Sequence, residues 1–151
     1  MYNITIETAA SYAGKSDTYT IEQGDKSIPV THEVGGFMNK NVKPETKKLS
    51  HTEYRPIADA FENIDFQKVF KESGDLVGYD GWTLKVTLSK VMSGISVSLW
   101  CPSEDPSKPE TTRLLQACEK VCALFIPGPD PFLRVRPRGN YPPHRSGPAR
   151  L

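Results

Sequence analysis

The sequence predicts an α+β fold: an antiparallel sheet of four to five strands with two to three helices packed on one face, in the order β-β-β-α-α-β-β-α. Three observations carry that expectation. The strand signals come in runs instead of alternating with helices, which favours antiparallel pairing over βαβ units. Residues 82–101 read as two stretches of apolar alternation joined by a short loop. Residues 114–125 carry a helical apolar stripe wide enough to cover one side of that hairpin.

Tyr2, Ile4 and Ile6 point one way and Asn3, Thr5 and Glu7 the other, the period of a half-buried strand. Residues 11–17 read as a turn, 18–22 as a second strand, and Gln23-Gly24-Asp25-Lys26 as the turn into a third strand over 28–34. Pro29 has no N–H to donate, so this third strand, which carries His32, is expected to be short or at a sheet edge. Gly35-Gly36 opens a polar stretch to Leu49 with Lys40, Lys43, Lys47 and Lys48, which reads as a mobile loop.

Ser50-His51-Thr52-Glu53 has the spacing of a capping box. Pro56 then predicts either a turn over 50–54 with the main helix beginning at 56, or a kinked helix. Ile57, Ala60, Phe61 and Ile64 give its apolar stripe, and a second helix over 65–72 presents Val69 and Phe70 before Ser73-Gly74 stops it. In the hairpin, Trp82, Leu84, Val86 and Leu88 alternate with polar residues. After a loop containing Gly94, so do Ile95, Val97, Leu99 and Cys101. Thr111 or Thr112 can start a final helix whose stripe is Leu114, Leu115, Cys118, Val121, Cys122 and Phe125; Pro127-Gly128-Pro129 forbids its continuation. Burying six such side chains at ~1.5–3 kcal/mol each favours docking by on the order of 10 kcal/mol before entropy, enough to hold the helix on the sheet.

Composition divides the 151 residues at position 127. Residues 1–126 carry twelve Lys and two Arg against 17 acids, a net −3, whereas 127–151 have five Arg, no Lys and a net +4. The last 25 residues also hold seven of the thirteen prolines. The expected organisation is one α+β domain over 1–126, followed by a disordered Pro/Arg-rich tail over 127–151 of the kind a frameshift or read-through produces. A polyproline ligand for an aromatic groove is the competing reading of that tail. The mildly acidic body excludes a dedicated nucleic-acid binder, which needs clustered positive charge. No stretch approaches ~18 apolar residues, so no membrane span is expected. The chain opens directly on a strand pattern with no secretory leader, and three cysteines make no even disulfide framework, so a reduced, cytoplasmic protein is expected.

Catalytic motifs are missing. No phosphate loop, nucleophile elbow or metal-ligand spacing occurs, so neither catalytic residues, nor a metal, nor a cofactor is expected. Cys118 and Cys122, four apart within an apolar stripe, read as core. Tyr79-Asp80-Gly81-Trp82 reads first as a tight turn delivering Trp82 to the core, with Asp80 as its functional candidate. Trp100, on the sheet face opposite Leu99 and Cys101, is either an exposed binding anchor or is covered by a loop such as 35–49. Glu62 with Asp65, and Glu104 with Asp105, are acidic candidates for meeting a basic partner, against the plainer reading of solvated charge.

The Tyr79-Asp80-Gly81-Trp82 turn, the hairpin ending Leu99-Trp100-Cys101-Pro102 and the 114–125 helix resemble, loosely, small bacterial α+β proteins of the polymorphic-toxin immunity type. That resemblance implies a cytoplasmic, non-enzymatic protein that binds and neutralises one cognate toxin, expected here to be basic. It carries over no functional residue. Two alternatives stand beside it: a small-ligand or structural module using the sheet face around Trp100, and a carboxylate-dependent hydrolase using Asp80 and Glu104.

Overall fold

Strands with apolar side chains at every second position bury one face and can leave the other in water, and here six lie side by side on that principle. The computed structural model describes residues 2–10, 16–35, 42–74, 81–126 and 135. Its strands are β1 (Asn3–Ala10), β2 (Ser16–Ile21), β3 (Ile28–Gly35), β4 (Glu45–Leu49), β5 (Trp82–Lys90) and β6 (Ser93–Trp100). They form one open antiparallel sheet in the order β4-β3-β2-β1-β5-β6. Helices α1 (His51–Glu62), α2 (Phe66–Ser73) and α3 (Pro109–Cys122) complete the α+β architecture.

The central β1 pairs on one side with β2, Ile6 against Tyr19, and on the other with β5, Ile6 against Val86. One row of side chains from each strand thereby faces the helices. Ile4, Ile6, Ile21, Val30, Leu84 and Val86 are at most 1% exposed, while Thr83, Lys85, Ser96 and Ser98 on the opposite face stand in solvent. Leu114, Leu115, Cys118, Val121 and Cys122 of α3 are buried in the same hydrophobic core as Val97 and Leu99, and the helix that runs directly beside β6 is α2. Phe125, past the end of that helix, packs at 5.3 Å from the His32 ring and 5.9 Å from Tyr19.

Several elements depart from expectation. There are six strands, not four to five, because part of the lysine-bearing stretch taken for a loop is β4, which runs beside β3 with Leu49 against Ile28. β3 is therefore an interior strand of eight residues, and His32 lies between β2 and β4 instead of on an edge. Pro29 is tolerated there because Glu22 N still donates to Pro29 O (3.2 Å). The reciprocal bond that proline cannot make falls just beyond the end of β2.

α1 is a single continuous helix with Pro56 inside it, begun by the capping box as expected: Glu53 N donates to Ser50 Oγ (3.2 Å) and Ser50 N to Glu53 Oε2 (2.8 Å). In α2, Phe66 and Val69 are buried but Phe70 is 72% exposed, since one residue past Val69 the helix has turned its side chain to the rim. The β5–β6 turn is the two residues Val91-Met92, which leaves Gly94 inside β6, opposite Ser89. α3 begins at Pro109, ahead of Thr111. Val135, the described residue of the segment expected to be disordered, is 2% exposed within the hydrophobic core.

Candidate functional site

The two margins of the sheet differ in chemistry. β4, at one edge, is Glu-Thr-Lys-Lys-Leu, with its first four residues exposed. Charged side chains of this kind discourage other strands from adding to an edge. β6, at the other, is Ser-Gly-Ile-Ser-Val-Ser-Leu-Trp and has neither charge nor proline over eight residues. Cys101 N donates to Trp82 O (2.8 Å), and alternation back along the hairpin makes Leu99, Val97, Ile95 and Ser93 the residues bonded to β5. The amides and carbonyls of Gly94, Ser96, Ser98 and Trp100 thus point away from the sheet, and among the described residues nothing bonds to them.

Apolar side chains crowd this margin. Phe70 is 72% exposed, Ile95 42%, and Val91 and Met92 at the hairpin turn are almost wholly in solvent. A trough made of two separate hollows lies between α2 and β6. The first, of about 290 Å³, is lined by Phe66, Gln67, Phe70, Lys71, Ile95, Ser96 and Val97. The second, of about 260 Å³, continues along Ser98, Leu99 and Trp100 between the end of α2 and the start of α3, where Lys108 lies. Lys71 and Lys108 are the charged residues lining the two parts.

Trp100 stands at the far end of this trough, half-buried. Its Nε1 is buried and has no hydrogen-bond partner among the described residues. The described residues of 35–49 do not cover it, because β4 forms the opposite edge of the sheet, five strands away. What packs against the indole is Gly81, whose φ is 138°; a Cβ there would lie 2.3 Å from Cys101 Sγ and 3.2 Å from Trp100 Nε1. Glycine is required at 81 both for that backbone conformation and for that closeness. The turn does deliver Trp82 to the core, at 6% exposed, while Asp80 lies outside the described residues.

The four acids expected to meet a partner are dispersed into local roles or solvent. Asp65 is the N-cap of α2, accepting from Gln67 N (3.0 Å) and Lys68 N (3.2 Å). Asp105 accepts from Ser107 N and Oγ, and these bonds hold its carboxyl below the ordinary value. Glu62 and Glu104 are exposed; Glu104 and Asp105 border an open depression of about 480 Å³ with Arg113. Sequence reasoning did not single out the carboxylates that tie the helices together. Glu110, 7% exposed, bonds Arg113 (2.9 Å) and accepts from Asp65 N (3.1 Å), and Glu72 caps α3 from α2.

The thiol of Cys118 is raised well above its ordinary value by burial and then by neighbouring Cys122, which suits packing and not metal ligation. Among the described residues no cluster of three or more His, Cys, Asp or Glu could hold a metal, and no helix is long and apolar enough to cross a membrane. Asp17 and His32 meet at 2.8 Å, with His32 stacked on Tyr19 (centroids 4.4 Å apart), on the helix-covered face of the sheet. No protein-family model matches the chain, and no curated protein or solved structure is similar enough to it to count as a match.

Proposed function

We propose that this is a non-enzymatic protein-binding protein, of the kind exemplified by immunity proteins that bind and neutralise a cognate toxin, and that it engages its partner at the β6 margin. The observation that supports this reading is the unequal treatment of the two edges: β4 is charged, while β6 is free of charge and flanked by solvent-exposed Phe70, Ile95 and Met92. A monomer gains nothing from displaying such a contiguous apolar margin beside open backbone, which ordinarily marks an interaction surface. The alternative reading of a ligand module beside Trp100 has less room, since the hollow there falls under the ~300 Å³ at which small-molecule sites begin.

The test is co-expression with the product of the adjacent reading frame, the complex being followed by gel filtration and by relief of any toxicity. Phe70→Asp with Ile95→Asp is expected to weaken the complex at least ~100-fold, as loss of a central apolar contact does; Phe70→Asp, 72% exposed, leaves the melting temperature unchanged, while Ile95→Asp, 42% exposed, lowers it modestly. A complex indifferent to both substitutions would remove the β6 margin from the reading.

A further inference from the structure

Resting on that protein-binding reading, we infer that the partner contributes an extended segment that adds to β6 as a seventh strand and carries acidic side chains between its apolar ones. Three independent features converge on this occupant. The outward amides and carbonyls of Gly94, Ser96, Ser98 and Trp100 form a ladder spanning about 20 Å at ~3.4 Å per residue that none of the described residues fills, and only a strand satisfies such a ladder throughout its length. The trough follows that ladder residue by residue: Ile95, Ser96 and Val97 line its first part and Ser98, Leu99 and Trp100 its second, with α2 as the far wall. A groove between a helix and an edge strand is the shape into which an added strand fits, its backbone on the edge and alternate side chains against the helix.

The third feature is charge. Each part of the trough has one charged lining residue, and each is a lysine: Lys71 in the first, Lys108 in the second. Lys108 already faces the carboxylates of Glu72 and Asp105, so Lys71 is the cation offered to the docking segment, which carries an acid opposite it although the net −3 of residues 1–126 would attract a basic partner. The helix-facing row of the added strand packs an apolar side chain over Phe70 and Val97, and an acid two positions along in that same row reaches Lys71.

The experiment titrates the full chain with the capped octapeptide Val-Thr-Glu-Thr-Val-Thr-Glu-Thr, whose valines and glutamates share one strand face, and with its lysine-for-glutamate counterpart, while amide hydrogen exchange is read residue by residue. Slowed exchange at Ser96 and Ser98 with the acidic peptide is expected, with the lysine counterpart binding about ten-fold more weakly. Lys71→Glu inverts that preference. Ser96→Pro removes one outward amide while sparing the bonds to β5 and abolishes the protection; Ser96→Ala keeps the amide and behaves as wild type. Melting curves of each variant report folding separately. Unchanged exchange at Ser96 and Ser98 at millimolar peptide, or two peptides that bind alike, overturns the inference. So does self-association sensitive to Ser96→Pro, which would place a second copy in the trough. If the peptides fail while Phe70→Asp still breaks the partner complex, strand addition falls and the protein-binding reading stands.

Discussion

At the start of α3 the helix has no cap of its own, because Lys108 offers no side-chain oxygen. Glu72 reaches across from α2 instead, accepting from Glu110 N (3.1 Å), Thr111 N (2.8 Å) and Thr111 Oγ1 (2.8 Å). Burial pushes its carboxyl up, but the bonds from Thr111 and Glu110, with Lys108 nearby, outweigh burial and hold it below the ordinary 4.5. A carboxyl depressed on folding stabilises the protein above the unfolded value and loses that contribution as pH falls through the folded one. Glu72→Ala is therefore expected to lower stability by about 0.5–1 kcal/mol at neutral pH, the usual worth of a helix cap in a partly exposed place. In urea melts the gap from wild type should hold down to about pH 4.5 and close below it; a gap that persists at pH 2 would show that the contact is packing and not charge. Some single-residue roles were legible, the Ser50–Glu53 capping box among them. Asp65 and Asp105 stand in capping and Asx-turn spacings that were legible too, but were read as acids for a partner or as solvated charge. Glu72 was not legible, because a cap lent by another helix leaves no local spacing to read.

Among the elements, α1 carries a conspicuous flaw. Pro56 sits on its exposed side with no N–H for the carbonyl of Thr52, yet the capping box and the burial of Tyr54, Ile57 and Phe61 keep the helix whole. Pro56→Ala restores that bond without disturbing the core. It is expected to stabilise the protein by roughly 1–3 kcal/mol, read as a higher urea midpoint at unchanged slope. A neutral or lower midpoint would mean the proline is worth more in limiting the unfolded chain than it costs in the helix. The hairpin and α3 were readable because each has one clean apolar period over eight or more residues. β4 was not: four of its five residues are exposed, so it presents no alternation and looks like solvated loop until β3 is seen beside it. Phe70 misled in the opposite direction, since apolarity alone cannot tell a core position from an exposed one.

For the molecule as a whole, the class and the single helix-covered face follow from pattern, but the strand order does not. Nothing local announces that β1 lies between β2 and β5, because the pairing of Ile6 with Val86 joins residues far apart in the chain. The exposed margin at β6 is a product of that order and was invisible for the same reason. The boundary at 127 also marks a change of composition without marking the limit of packing, as Val135 in the core demonstrates. Cutting the chain after Ile126, which is itself 8% exposed, removes that contact. The truncated protein should lose about 1.5–3 kcal/mol, the worth of one buried valine, and several degrees of melting temperature. Val135→Asp in the full-length chain should reproduce most of the loss; an unchanged melt in both would return residue 135 to the solvent.

The placement of β1 has a consequence for timing. A chain emerging from the ribosome can zip β1, β2 and β3 together early, since their partners are near neighbours. The far flank of β1 must then wait for residues 82–90, and the core that α1 and α2 begin to cover is completed only when α3 arrives. Nascent chains stalled before residue 109 should accordingly hold a half-built ribbon in need of shelter, and the slow event in maturation is the arrival of the last third of the polypeptide, not the formation of the first.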